Sequence, residues 1–146
     1  MENTKNITYK LYNFLPEEAR HIREEVFIKE QGFVGEFDST DSIAVHIVVF
    51  ADGTAAGTGR LFPSARQGAY TIGRVAVLPE FRSLHLGSFI TSRLEEKAAE
   101  LGAKQTELSA QCRVRTFYEK NGYKAEGDVY LDEYCEHIHM VKQLKN

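Results

Sequence analysis

The chain has 146 residues, of which 42% are hydrophobic and 27% charged, and its 18 basic and 21 acidic side chains give a formal net charge of −3. This length and composition predict one globular domain over residues 1–146 and exclude a disordered chain or a broad basic surface for nucleic acid. The absence of a long apolar run, of an apolar signal-peptide core and of a disulfide framework predicts a cytoplasmic protein that binds no membrane.

The first half of the chain predicts a strand, a helix and then two antiparallel strands. Residues 7–13 favour a short strand, and a helix begins at Pro16 and ends at Gly32, since proline suits a first helical turn and glycine a C-cap. Residues 43–50 are almost wholly apolar and predict an interior strand covered on both faces. An Asp-Gly turn then returns the chain into a strand at residues 55–62.

The second half is organised around one strand–loop–helix unit. Residues 70–78 predict a buried strand, which Pro79 ends because proline cannot donate to the ladder. After a loop, apolar residues recur at helical spacing from Leu86 to Leu101, and Gly102 stops the helix. The remaining elements are a strand at 104–110, parallel to the strand at 70–78, a short helix at 113–121, and a closing antiparallel pair at 123–125 and 137–144.

The loop before the second helix is a candidate anion site. Backbone N–H groups at a helix start have no intrahelical partner and face the positive end of the helix dipole, so phosphate is a frequent occupant. The loop lacks the Gly-Lys-Ser/Thr ending of a P-loop and the three-glycine spacing of a dinucleotide fingerprint. From these residues alone, a phosphate site and an ordinary strand–helix connection both remain open.

Two motifs narrow this choice. Arg82 and Gly87 match the ends of an Arg/Gln-x-x-Gly-x-Gly/Ala loop, with His85 at its central glycine, and residues 117–123 match Phe-Tyr-Glu-Lys-x-Gly-Phe/Tyr. In this order they resemble the GNAT superfamily of acyl-coenzyme-A N-acetyltransferases over nearly the whole chain. A third segment resembles the small ElaA-like and YjcF-like members; its residues are 23–27, 30–32, Glu36, Asp38, Asp41 and His46.

The resemblance implies an α/β fold with a mixed, splayed β-sheet flanked by helices on both faces. It also implies that acetyl-coenzyme A, the co-substrate, enters the gap between the two parallel central strands, and that no metal is needed. The cofactor-binding residues carried over by the resemblance are Val75, Ala76, Val77, Arg82, Ser83, Leu84, His85, Leu86, Gly87, Ser88, Gln111, Phe117, Tyr118 and Lys120.

The same resemblance implies two catalytic residues. Tyr118 matches the tyrosine that protonates the leaving thiolate in many relatives, a role that a phenol can fill. Many relatives carry a glutamate base on the central strand, but residues 71–74 contain no carboxylate. His137 matches a histidine of the ElaA-like pattern and is our candidate base. His46, Glu36 and water remain alternatives, and a purely structural role remains open for both histidines and for Tyr118.

The expected acceptor site consists of Glu36, Asp38 and His46. With Asp41, the two carboxylates would attract a cationic amine over about a Debye length, although such a cluster is also typical of a solvated turn. A separate set of side chains could hold zinc, because alternate residues of a strand share a face: Cys135, His137 and His139. No second closely spaced pair of ligands accompanies them, so we expect no metal.

The sequence therefore favours transfer of an acetyl group from acetyl-coenzyme A to a primary amine of a small molecule, by direct attack in a ternary complex. A non-catalytic acyl-coenzyme-A binding domain is the alternative, favoured by His85 and by the missing strand carboxylate. Acyl-homoserine-lactone synthesis, which shares this fold, is a more distant alternative. The acceptor is not determined, and a homodimer stays open.

Overall fold

The structure, a computed structural model, describes residues 5–144, and the expectation about a signal peptide falls partly outside them. The strands are β1 Ile7–Tyr12, β2 Val45–Ala51, β3 Thr54–Pro63, β4 Ala69–Val77, β5 Gln105–Gln111, β6 Lys124–Asp132 and β7 Cys135–Gln143. The α-helices are α1 Glu17–Arg23, α2 Leu86–Glu100 and α3 Arg115–Lys120. A π-helix, Glu24–Glu30, continues α1, and 3-10 helices lie at Ser39–Ser42, Pro79–Leu84 and Cys112–Val114. This order confirms the predicted sequence of elements.

All seven strands form one mixed sheet in the order β1-β2-β3-β4-β5-β7-β6. Every neighbouring pair is antiparallel except β4 and β5, which are parallel, as predicted. The parallel pair holds only at Ala69 with Gln105, Tyr70 with Thr106 and Thr71 with Glu107. Beyond Thr71 the two strands part, so the sheet is splayed at its centre.

Helices cover both faces of the sheet. On one face, α2 buries Ile90, Leu94 and Ala98 against a cluster that includes Ile47 and Leu61 of β2 and β3. On the other, Ile22 of α1 and two π-helix residues pack against β4, forming the cluster Ile22, Val26, Phe27, Phe33 and Ala76. The α/β class with helices on both faces is therefore confirmed. No helix within residues 5–144 is long and apolar enough to cross a membrane.

Two elements differ in extent from the sequence prediction. The first helix continues as a π-helix after Arg23. The sequence did not indicate this change, because the spacing of apolar residues does not distinguish a turn of 3.6 residues from a slightly wider one. Strand β6 runs over nine residues, whereas the prediction stopped at Ala125. It is an edge strand that is mostly exposed and that contains Gly127 at φ 84° and a register shift, so its sequence lacks the alternation of a half-buried strand.

Glycines in β3 let α2 approach the sheet closely. A Cβ atom on Gly59 would lie 2.9 Å from Cγ2 of Ile90 and 3.1 Å from Cδ1 of Leu94, and a Cβ on Gly57 would lie 3.0 Å from Cδ1 of Ile90. Contacts below about 3 Å force a shift of the packed atoms. Gly57 and Gly59 are therefore required by helix packing, and this packing sets the position of α2 over β4.

We expect Gly59→Ala to lower the free energy of unfolding by about 1–3 kcal/mol, because the added methyl overpacks the contact with α2. Gly73→Ala in the neighbouring strand is the matched control, since its Cβ would lie 3.8 Å from the nearest atom, Nε of Arg60. Urea unfolding of both variants measures the difference. Equal stabilities of the two variants would contradict this account of Gly59.

Candidate active site

The separation of β4 and β5 creates a cleft of about 640 Å³. Its walls are residues 71–75 of β4 and 108–111 of β5, and it is closed by Phe117 and Tyr118 of α3, His137 of β7 and the loop segment 33–36. Since β4 pairs with β3 on one side only beyond Thr71, the backbone groups on its other side have no strand partner. A ligand in the cleft can therefore pair with the strand as a neighbouring chain would.

Strand β4 contains a bulge where it leaves β5. Thr58 pairs with Ala76 but Arg60 pairs with Gly73, so β4 has one extra residue at this point. Arg74 in the bulge adopts φ 52°, a left-handed conformation that is strained for a residue with a side chain. Val75, Ala76 and Val77 follow the bulge along the open stretch of the strand.

The loop after β4 ends in a second left-handed residue. His85 has φ 58° and ψ 34°, the conformation that a central glycine would adopt easily, and it forms the N-cap of α2 without a side-chain hydrogen bond. The 3-10 helix Pro79–Leu84 uses the N–H groups of its later residues internally. The donors left for an anion are those of Leu86, Gly87 and Ser88 in the first turn of α2.

The two sequence motifs meet at Gly87. A Cβ atom on Gly87 would lie 3.1 Å from Cζ of Phe117, so the missing side chain lets α3 approach the start of α2. Tyr118 follows Phe117 and packs edge-on against both Phe117 and Tyr123, with ring centroids 4.9 and 5.9 Å away. Tyr118 lines the cleft, its hydroxyl has no hydrogen bond within residues 5–144, and burial raises its pKa to about 12.

His137 also lines the cleft and is held in one orientation. Its Nδ1 lies 2.9 Å from the carbonyl oxygen of Cys135, and since a carbonyl only accepts, Nδ1 is the donor. The ring stacks on Tyr130 with centroids 6.1 Å apart and planes at 26°. In the neutral ring, Nε2 therefore keeps its lone pair, as a proton acceptor needs.

The comparisons with known proteins agree with this geometry. The family described as acetyltransferase (GNAT) domain matches residues 13–144. The chain belongs to the GNAT family. It is 35% identical to the uncharacterized N-acetyltransferase YjcF of Bacillus subtilis, over 86% of this chain and 90% of that protein. The family and this relative make the chain an acyltransferase.

Solved structures place the fold in the same family. An acyl-CoA N-acyltransferase from Pseudomonas aeruginosa superimposes with a TM-score of 0.79 at 29% identity, over 94% of this chain and 99% of that one. Escherichia coli ElaA gives a TM-score of 0.81 over 96% of this chain and 100% of its own, and its 22% identity supports the fold alone. The resemblance seen in the sequence is thereby confirmed.

Six charged side chains at one end of this GNAT cleft form what we call the ion cluster: Arg23, Arg60, Arg74, Glu36, Asp38 and Asp41. Arg23 donates to Glu36 at 2.9 Å and to Asp41 at 2.7 Å. Arg60 donates to Asp38 at 2.7 Å and to Asp41 at 2.9 Å.

The expected acidic site is thus balanced by three arginines that the sequence reasoning missed. The sequence did contain an indication of two of them: Arg23 stands next to an apolar residue of a helix, and Arg60 stands inside a strand. Arginines at such positions are buried, and buried arginines require acidic partners.

The expected acceptor residues lie at different distances from the cleft. Glu36 lines the cleft, and burial raises the pKa of its carboxyl against the pull of Arg74 and Arg23. Asp38 is not among the lining residues and accepts hydrogen bonds from Arg60 and Arg74. His46 is 1% exposed, and its Nε2 donates to the carbonyl of Asp41 at 2.9 Å. The structure therefore brings Glu36 to the cleft but not His46.

Several expected cofactor residues already have partners. Arg82 forms a two-pronged pair with Glu30, with nitrogen–oxygen distances of 2.8 and 2.6 Å, and its Nε donates to the carbonyl of Val77 at 3.0 Å. Gln111 lines the cleft and bonds to Gln31 and Arg113 through its amide. Ser83 and Lys120 are exposed, and Leu84 is half-buried.

The cysteine and histidines of β7 have other contacts than a shared metal. His139 donates from Nε2 to Glu107 at 2.7 Å and lies 3.7 Å from Glu126. His137 is bound to the backbone of Cys135, as described above. Across the part of the chain that the structure describes, no three His, Cys, Asp or Glu side chains are arranged to hold a metal ion.

Asp41 should make the stability of the protein sensitive to acid. Burial alone would raise its pKa, but hydrogen bonds from Arg23, the N–H of Asp38 and Arg60 hold the pKa of Asp41 at about 2, below its ordinary 3.8. The stabilisation is complete above pH 3.8 and is lost as pH falls toward 2, since the unfolded chain then binds the proton more tightly. We expect a loss of about 2 kcal/mol in this interval.

Urea unfolding between pH 5 and pH 2 measures this loss. Asp41→Asn should be less stable at pH 5 and should lose about 2 kcal/mol less than the wild type on acidification. Asp52→Asn is the control, because Asp52 lies in an exposed turn outside the ion cluster. If Asp41→Asn kept the full acid sensitivity of the wild type, another carboxyl would be responsible.

His85→Gly tests whether the histidine distorts the loop. Because His85 is exposed and already left-handed, glycine should relieve the backbone strain and change the free energy of unfolding by no more than about +1 kcal/mol. We expect the Kd for coenzyme A, measured by calorimetry, to stay within about threefold, with His85→Ala as the variant that keeps the strain. A tenfold gain in affinity for His85→Gly would mean that the histidine displaces the N–H groups at the start of α2 from the position that coenzyme A needs.

Proposed function

We propose that the protein transfers the acetyl group of acetyl-coenzyme A to a primary amine of a small molecule, in a ternary complex and without a covalent acyl-enzyme. The observation that carries this proposal is the cleft where β4 leaves β5, because it combines an unpaired strand edge with the side chains of Tyr118 and His137. A cytoplasmic location is consistent with two free cysteines. The homodimer stays a prediction.

The cofactor site follows the path from α2 to the apex of the cleft. The pyrophosphate accepts hydrogen bonds from the N–H groups of Leu86, Gly87 and Ser88, and the pantetheine amides pair with β4 along Val75, Ala76 and Val77. The relative named as an acyl-CoA N-acyltransferase supports this assignment. Arg82 can bind the phosphate only if its guanidinium leaves Glu30 or donates to both groups at once.

The reaction balances without any further reagent. The amine nitrogen attacks the thioester carbonyl carbon, the new C–N bond forms, the C–S bond breaks, and the sulfur leaves as coenzyme A thiol. The oxyanion that develops is stabilised by a backbone N–H on the open edge of β4. One proton passes from the amine to Nε2 of His137 and from there to solvent, and the departing sulfur, hydrogen-bonded by Tyr118, takes up one proton from solvent.

The environment of Tyr118 defines its part in this reaction. With its pKa raised to about 12, the phenol is fully protonated at neutral pH and is available to the developing thiolate. The raised pKa also increases the difference from the pKa of a thiol, which is about 8.5. Complete transfer of the phenol proton to the sulfur is therefore unfavourable. A hydrogen bond that strengthens as the charge grows on sulfur fits this site better than an early proton transfer.

The base assignment rests on orientation. Nδ1 of His137 is occupied by the carbonyl of Cys135, which leaves Nε2 as the acceptor, and the ring lines the same cleft as Tyr118. Glu36 is the alternative base, since burial raises the pKa of its carboxyl and it also lines the cleft. His46 is less suited, because its Nε2 is held by a backbone carbonyl away from the cleft.

Thiol release from acetyl-coenzyme A across a panel of primary amines tests the function. Turnover on at least one amine, with an acetamide product detected by mass spectrometry, supports the proposal. Calorimetric binding of acetyl-coenzyme A with no turnover on any amine would support the non-catalytic binding domain instead. If acetyl-coenzyme A did not bind, both the acetyltransferase and the non-catalytic binding domain would be excluded.

We expect Tyr118→Phe to lower kcat by about 10²–10³-fold, because it removes one donor to the leaving sulfur, while the Kd for coenzyme A changes less than about threefold. Because the pKa of Tyr118 is about 12, the kcat of the wild type should show no alkaline loss below pH 10. Tyr9→Phe is the control, since Tyr9 packs on Phe89 outside the cleft. Steady-state kinetics measures both, and an unchanged kcat for Tyr118→Phe would exclude the tyrosine from the reaction.

A further inference from the structure

The end of the cleft that the ion cluster borders contains two arginine nitrogens without a hydrogen-bond partner among the described residues, Nη1 of Arg74 and Nε of Arg60. The carboxylates of Asp38 and Asp41 are used by arginines of the ion cluster, and neither lines the cleft. The cluster residues that do line it are Arg60, Arg74 and Glu36. Two of these three are cations, so this end of the cleft is not the wholly acidic site expected from the sequence; the other Lys, Arg, Asp or Glu side chains in the lining are Arg113, Asp132 and Glu133.

Arg74 is presented to the cleft by the β4 bulge. Its Nε lies 2.9 Å from Oε2 of Glu36 and donates to the carbonyl of Glu36 at 3.2 Å, and its Nη2 donates to Asp38 at 3.3 Å. Its Nη1 makes no hydrogen bond within residues 5–144, and the side chain keeps 28% of its exposure. The guanidinium is thus oriented by two neighbours and keeps one nitrogen free.

Arg60 adds a second unused donor behind this surface. Both of its Nη atoms bond to carboxylates, but its Nε is buried without a partner among the described residues, although the whole residue is only 4% exposed. This Nε lies next to Gly73, on which a Cβ would be 3.8 Å away. A buried N–H without an acceptor is unfavourable, and such groups mark places where a water or ligand atom is expected.

The backbone conformation of Arg74 is a further observation about this residue. A residue with a side chain at φ 52° is strained, and such strain persists where the surrounding contacts hold the residue for a purpose. Arg23 already pairs with Glu36 and Arg60 with Asp38, so neither carboxylate depends on Arg74 for a partner. The left-handed conformation belongs to the β4 bulge, and this bulge presents the guanidinium to the cleft.

We propose that Arg74 binds a carboxylate of the acceptor, so that the substrates are amino acids or other small amines that carry a carboxylate. This inference rests on the proposed acetyl transfer and names the class of acceptor for it. Free Nη1 of Arg74 donates to the carboxylate, and Arg60 lies behind it as a second source of positive charge. The amine of the same molecule is then held toward Tyr118 and His137.

Charges of both signs surround Arg74. Facing it are Glu36 and Asp38 as anions and Arg60 and Arg23 as cations, and burial together with these cations lowers its pKa despite Glu36. Two anions and two cations therefore surround Arg74, and its free Nη1 is what makes it available to a carboxylate. The pyrophosphate is not the anion proposed for Arg74, because Arg74 precedes Val77 by three residues, about 10 Å along a strand, while the N–H groups proposed for the phosphate follow Val77.

Matched substrates test the inference on the wild-type protein. Each amino acid of a panel is compared with its carboxamide and with the amine that lacks the carboxyl group, using thiol release with acetyl-coenzyme A. A charge-assisted hydrogen bond predicts a kcat/KM at least about tenfold higher for the acid than for both analogues. Turnover without this preference overturns the inference and leaves the proposed function intact; no turnover on any amine overturns both.

Variants assign the preference to Arg74. In Arg74→Gln the ratio of kcat/KM for acid over carboxamide should fall to within about threefold, and Arg74→Lys should keep part of it, because lysine retains the charge but not the planar donor. Arg66→Gln, an exposed arginine paired with Glu126 outside the cleft, should keep the full ratio. An undiminished ratio in Arg74→Gln overturns the assignment.

A binding measurement keeps the inference testable if Arg74→Gln fails to fold. Calorimetry on the wild type with coenzyme A present compares an amino acid with its carboxamide, in a complex that cannot react. Tighter binding of the acid by about tenfold, reduced by added chloride, supports the carboxylate site. Equal binding of the two compounds overturns it.

Discussion

The site depends on one limit in the sheet, namely that β4 and β5 hydrogen-bond at only three residue pairs. Parallel strands that continued to pair would satisfy each other and leave no room for a ligand. Because pairing stops at Thr71, the edge of β4 remains free for its last six residues, and β5, α3 and β7 form the opposite wall. The bulge at Arg74 and the packing of α2 over the β3 glycines keep β4 in this position.

The ion cluster holds the loop before β2 against three other elements. Arg23 comes from α1, Arg60 from β3 and Arg74 from β4, and each contacts carboxylates of the loop between the π-helix and β2. Buried ion pairs add little net stability because desolvation opposes their attraction, but removing one partner is costly. The cluster therefore contributes mainly by fixing where the loop lies beside the cleft and which charges border the cleft.

The loop between β4 and α2 shows how a departure from a family pattern can be accommodated. His85 stands where GNAT relatives have glycine, yet its backbone adopts the left-handed conformation that glycine would favour. The start of α2 consequently keeps its free N–H groups, and Gly87 still allows the contact with Phe117. The pair between Arg82 and Glu30 is a contact that the motif alone did not indicate.

The sequence by itself determined the order of the elements, the strand–loop–helix unit and the family, because periodicity, proline and glycine signals and the two motifs are local. It also indicated Tyr118 and His137, whose places beside the cleft depend on the family pattern and on β7 pairing with β5. Only the tertiary structure decided that Glu36, Asp38 and Asp41 are neutralised by arginines, since Arg74 and Asp38 are 36 positions apart. Charge pairing across such separations is set by how elements pack, which local sequence patterns do not encode.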